Sequence, residues 1–136
     1  MNILLVEDDE IDALVVRRAF SELGVPFDLV NAHDGVDALE RLRGSDGHPP
    51  VPRPRLVLLD LNMPRMTGIE FLSELRADES LRSTLVFVLT TSSDQRDILK
   101  AYDHNVAGYI VKPDTPAEVA DTMTMIKAYC ERVAFP

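Results

Sequence analysis

The sequence has little cysteine, little positive charge and no long apolar run. Its one cysteine, Cys130, cannot close an internal disulfide, so the fold does not depend on an oxidising compartment. Lys and Arg number 14 against 23 Asp and Glu, a formal charge of −9. That balance argues against nucleic acid held on a basic face and against anionic membranes; it fits protein partners or cations. The longest apolar runs, such as "LVFVL" at residues 85–89, have strand length and cannot span a bilayer. The N-terminus lacks a positive n-region and meets its first acids at residue 7, so no secretory signal is expected. A cytoplasmic location is the expectation. His33, His48 and His104 are scattered without metal-ligand spacing.

What is present reads as one globular domain. The 136 residues, 46% apolar and 27% charged, can bury a core but not two. The expected unit is 1–136, with a core to about residue 131 and a tail over 132–136. Four apolar runs, 2–6, 56–59, 85–89 and 107–111, lack strict alternation, which suits parallel strands covered on both faces. A fifth, less apolar candidate covers 27–30.

Helical patterns lie between them. Ile11, Leu14, Val15, Ala19 and Leu23 form one stripe, ended by Gly24. Gly35, Ala38, Leu39 and Leu42 form a second; Gly68, Phe71, Leu72 and Leu75 form a third. Ile98, Leu99 and Tyr102 mark a helix over 94–104. The last helix carries Thr115 as N-cap, Pro116 at its first position and Glu118 to close a capping box. Its stripe is Val119, Met123, Ile126 and Cys130. The order is βα five times over, which predicts an α/β fold with an open parallel sheet and helices on both faces. The Pro- and Gly-rich stretch "GSDGHPPVPRP", 44–54, reads as an exposed loop.

In such sheets ligands sit beyond the carboxyl ends of the strands. "LVEDDEID", residues 5–12, crowds five carboxylates into eight residues at the first of these ends. Asp9 reads as a helix N-cap, and Glu10 and Asp12 as solvated charges near the positive end of the dipole. Glu7 and Asp8 remain at the strand end. Asp60 follows four apolar strand residues, where an unpaired charge is costly. Thr90 ends the fourth strand and Lys112 the fifth. Carboxylates, a hydroxyl and an ammonium thus converge on one edge, and a cation there would relieve the crowding.

"ILLVEDDE", "LVLLDLNMPRMTGIEFL", "FVLTTS" and "GYIVKP" resemble the four motif blocks of the response-regulator receiver family, the CheY-like phosphoacceptor domains of two-component signalling. The resemblance implies a flavodoxin-like (βα)5 fold of strand order 2-1-3-4-5. It implies that Asp60 is phosphorylated, that Glu7, Asp8, Asp60 and the Asn62 backbone carbonyl hold Mg²⁺, and that Lys112 contacts the phosphoryl group. Thr90 and Tyr109 become switch residues, and a cis bond joins Lys112 to Pro113. The activity implied is self-phosphotransfer and autodephosphorylation, not turnover of a separate substrate.

Three other readings compete. A pseudo-receiver would keep the fold without phosphorylation, yet no required position is missing. A phosphohydrolase of the haloacid-dehalogenase type needs a second Asp two residues after the nucleophile, where Asn62 stands. A flavodoxin-like nucleotide carrier is opposed by the acidic first loop, the wrong sign for a phosphate cradle. The Pro-rich loop, "LTTS" and "DHNVAGYIVK" are similar to stand-alone regulators serving phytochrome-type histidine kinases, while the tail "YCERVAFP" departs from that pattern. The expected partners are a sensor histidine kinase and a second copy of the chain. The dimer would use the face of helix four, strand five and helix five, with Val133 and Phe135 of the tail.

Overall fold

The computed structural model describes residues 1–24, 26–45 and 47–136. Five strands, β1 (Asn2–Val6), β2 (Asp28–Ala32), β3 (Arg55–Leu59), β4 (Leu85–Thr90) and β5 (Gly108–Val111), alternate with five helices. The helices are α1 (Glu10–Glu22), α2 (Gly35–Arg43), α3 (Gly68–Ala77), α4 (Gln95–Asp103) and α5 (Pro116–Arg132). The strands pair in parallel in the order β2-β1-β3-β4-β5. This is the expected α/β architecture.

Side chains of a strand point alternately to opposite faces, and here both faces are buried. Leu4, Val6, Val57, Leu59, Val86 and Val88 meet α2 and α3 through Leu39, Leu42, Phe71, Leu72 and Leu75. Ile3, Leu5, Leu56, Leu58, Phe87 and Leu89 meet α1 and α5 through Ala13, Val16, Phe20, Met123 and Ile126. Two covers explain why the strands read as unbroken apolar runs.

The structure corrects four local readings. The second strand is Asp28–Ala32, not 27–30, because its limits follow the ladder with β1 and not its own apolarity. On α1 the buried residues are Ala13, Val16, Ala19 and Phe20, while Ile11 is 74% exposed and Leu14 and Val15 are also outside. The chain offers two apolar stripes there. The one used has small Ala13 against the sheet and lets Phe20 reach Phe27, ring edge to face, at 5.4 Å. On α4 only Ala101 is fully buried, and Leu99 and Tyr102 face outward at the sheet's edge. In the 44–54 loop Val51 is buried in the core, its N–H bonded to the Arg41 carbonyl.

The caps divide similarly. Thr115 accepts from the Glu118 N–H as expected, but the Glu118 carboxylate takes the Asp114 N–H, so the box does not close on Thr115. A complete capping box sits instead on α3, between Thr67 and Glu70. In the tail, Phe135 is not free: its ring packs edge-on against Tyr129 at 6.0 Å, and Val133 is the exposed apolar residue. No helix among the described residues is long and apolar enough to cross a membrane.

Candidate functional site

The sheet delivers its strand ends in register to one edge. Beyond β1, the Glu7 N–H bonds the Ala32 carbonyl at 2.9 Å; beyond β3, the Asp60 N–H bonds the Val6 carbonyl at 3.0 Å. The Lys112 N–H reaches the Thr90 carbonyl at 2.7 Å and extends β5 by one step. The Glu7, Asp60 and Lys112 side chains therefore leave from backbone that is still hydrogen-bonded to the sheet. Leu61 and Met63 are buried and anchor the loop after Asp60, and the Asn62 N–H lies 3.4 Å from Asp60 Oδ1.

Glu7, Asp8 and Asp60 each bring one carboxylate oxygen within 4.8 Å of the others. Glu7 and Asp60 are buried and Asp8 is exposed, which leaves one open side to the cluster. Hard carboxylate oxygens without His or Cys are the donor set of a hard cation such as Mg²⁺, and unsuited to a zinc site. The one ammonium in the group is that of Lys112. It donates to Glu7 Oε1 and, at 2.8 Å, to Asp12 Oδ2, and lies 3.7 Å from Asp60 Oδ2.

Burial pushes the Glu7 carboxyl up to about 7; the Lys112 hydrogen bond pulls it down and the Asp60 charge adds to the rise. Burial disfavours the Lys112 ammonium, but the Asp12 and Glu7 carboxylates outweigh that effect and hold its pKa above the usual lysine range.

Thr90 is fully buried, and its Oγ1 has no hydrogen-bond partner among the described residues. An unsatisfied buried hydroxyl is uncommon and costly. Tyr109, on β5 next to β4, donates its hydroxyl to the Ser92 carbonyl at 2.9 Å and is half-buried.

Three features depart from the sequence reading. Asp12 is not simply a solvated helix charge, because its carboxylate bonds Lys112. The Lys112–Pro113 bond is trans, the form X–Pro amides favour by ~0.5–1 kcal/mol. The pair of Asp34 and Arg65, which ties the loop after β2 to the loop after Asp60, was not read from the sequence at all. Asp9 does cap α1, accepting from the N–H groups of Ile11 and Asp12.

Known proteins resemble this chain in sequence and fold. The chain is 40% identical over 127 residues to the probable methanogenesis regulatory protein FilR2 of Methanothrix harundinacea (strain 6Ac), covering 93% of this chain and 81% of that protein. The Mn²⁺-bound response regulator Rcp1 superposes with a TM-score of 0.88 at 32% identity, over 99% of this chain and 98% of that one. The phosphorylated cyanobacterial phytochrome response regulator RcpA gives 0.90 at 33% identity, over 99% and 97%. The response regulator receiver domain family matches residues 3–124, which include all of the sheet but Asn2, the first residue of β1, and all the carboxylates above. With its 2-1-3-4-5 sheet and its acidic edge, this chain belongs to the response regulator receiver domain family.

Proposed function

We propose that this chain is a phosphorylation switch in which Asp60 accepts a phosphoryl group from a phosphohistidine of a sensor kinase. An Asp60 carboxylate oxygen attacks phosphorus, the P–N bond to the imidazole breaks, and an acyl phosphate forms on Asp60. The observation that carries this reading is the gathering of the Glu7, Asp8 and Asp60 oxygens within 4.8 Å, with the Lys112 ammonium 3.7 Å from Asp60. Glu7, Asp8, Asp60 and the Asn62 carbonyl would hold Mg²⁺, which would neutralise charge on the incoming phosphoryl oxygens. Lys112 holds one of those oxygens as a point charge.

The partnerless Thr90 Oγ1 is the hydroxyl that donates to the new phosphoryl group. Its displacement draws the end of β4 inward and gives the Tyr109 ring room to leave Ser92 and turn in. The signal is then a shift between two packings of the face formed by α4, β5 and α5. On that face Leu99, Tyr102, Val111 and Met125 are exposed, at 57%, 49%, 45% and 43%. A second copy of the chain is the proposed occupant, since β5 is an edge strand of the sheet and α4, β5 and α5 each carry an exposed large apolar residue.

The kinase is of the phytochrome type, a reading supported by the likeness to RcpA over 99% of this chain. Trapping tests the chemistry: after incubation with acetyl phosphate and Mg²⁺, borohydride reduction followed by peptide mapping places the label on Asp60. Label on another residue, or none, contradicts the proposal. Sedimentation tests the dimer. A monomer at micromolar concentration, phosphorylated or not, contradicts it.

A further inference from the structure

Lys112 is shared between two elements. Its ammonium has three N–H donors, of which one goes to Glu7 on β1's end and one to Asp12 on α1, while Asp60 at 3.7 Å is beyond hydrogen-bond range. Asp12 stands in the first turn of α1, where a third-position acid usually serves the helix cap. Here Asp9 caps the turn, so the Asp12 carboxylate is free to cross to Lys112. Asp12 also stands outside the group of oxygens that converge for a cation.

That division has a consequence for cation entry. A divalent ion among Glu7, Asp8 and Asp60 draws the Glu7 oxygens to itself and repels the ammonium beside them. Lys112 then has one carboxylate left to lean on that the cation does not use. We propose that Asp12 is a positioning residue that holds Lys112 aside while the cation binds, keeping it within reach of Asp60 without competing for the same oxygens. Without Asp12, the ammonium falls back on Glu7 and Asp60 and opposes the cation. This inference rests on the phosphoacceptor reading above and adds a residue to it.

A double-mutant cycle tests it, with Mg²⁺ affinity by calorimetry as the readout. Asp12→Asn should weaken Mg²⁺ binding roughly threefold or more, the size expected for a displaced neighbouring charge. Asp12→Glu should restore most of it. Glu10→Gln, an equal loss of charge on the same turn with an exposed side chain, should have a smaller effect. In a Lys112→Met background Asp12→Asn should have no effect, because the residue acts through the ammonium. An equal loss in both backgrounds overturns the positioning role and leaves a general field effect, with the receiver chemistry intact. A wild type that binds no Mg²⁺ overturns the receiver chemistry and the role of Asp12 together. In phosphorylation by acetyl phosphate, Asp12→Asn should raise the Mg²⁺ needed for half-maximal rate and leave the saturated rate unchanged. A drop in the saturated rate at unchanged Mg²⁺ dependence marks a merely structural role and contradicts the proposal.

Discussion

Arg65 and Asp34 join two loops at the acidic edge of the sheet: Nε donates to Oδ2 at 2.7 Å and Nη2 to Oδ1 at 3.1 Å. Asp34 is buried and caps α2, while Arg65 holds a left-handed backbone with φ of 60° on the loop that follows Asp60. The Arg65 hydrogen bonds hold the Asp34 carboxyl below the usual carboxylate range. A depressed acid stabilises the fold above its unfolded pKa, and that contribution is lost as pH falls through the folded value. Asp34→Asn keeps the cap oxygen but removes the charge, so its acid transition should be shallower than that of the wild type. Arg65→Ala should be less stable than Arg65→Gly, because only glycine relaxes the left-handed backbone. Thermal melts of both variants check this.

Thr90→Val replaces an unpartnered buried hydroxyl by a methyl group of the same shape. Resting stability should rise by about 1 kcal/mol, the lower end of the cost of an unsatisfied buried polar group. Phosphorylation should persist while phosphorylation-dependent partner binding is lost. Denaturant unfolding measures the first effect and a pull-down with phosphorylated protein the second. A destabilised variant that still switches is the contrary result.

Gly68→Ala places a Cβ 2.6 Å from the Asp60 carbonyl oxygen and 2.7 Å from Leu61 Cα. Both are backbone atoms at the root of the site and cannot swing away. The variant should lose about 1–3 kcal/mol through overpacking. It should also phosphorylate more slowly than wild type at a temperature where both are folded, because the strain falls on Asp60. Urea titration and phosphorylation time courses measure the two effects.

Much of the fold, and the convergence of Glu7, Asp8, Asp60 and Lys112 on one edge of the sheet, were legible in the chain. Asp60, Thr90 and Lys112 each follow an apolar run directly, so the end of a buried strand could be read as the rim of a site. The Thr67–Glu70 capping box was there to be read as T-x-x-E before an apolar pattern. Other features leave no local trace. Ile11 and Ala13 compete for the same helix with similar periodicity, and only the shape of the sheet chooses between them. Asp34 and Arg65 lie 31 residues apart, and Asp12 and Lys112 lie 100 apart; nothing near any of the four announces its partner. Long-range ion pairs are products of the topology and become visible only once the strand order is known.

Glu7 sets a pH dependence. Its carboxyl is raised from 4.5 to about 7, foremost by burial, so the folded state binds the proton more tightly than the unfolded state. In EDTA, stability should be fully present below pH 4.5 and should fall as pH rises through about 7. Glu7→Gln should flatten that slope. Mg²⁺ binding should strengthen over the same interval, since the cation needs the ionised carboxylate. Denaturation series from pH 5 to 8, with and without Mg²⁺, decide the sign.

The reaction proposed for the acidic edge is phosphorylation of Asp60 with a cation in place among Glu7, Asp8 and Asp60. Intact mass after incubation with acetyl phosphate, with Mg²⁺ or with EDTA, on wild type and Asp60→Asn, tests it most directly. A gain of one phosphoryl group is expected in the wild type with Mg²⁺ and none in the other three samples. A wild type that binds Mg²⁺ and gains no mass, or an Asp60→Asn protein that gains as much, would contradict it.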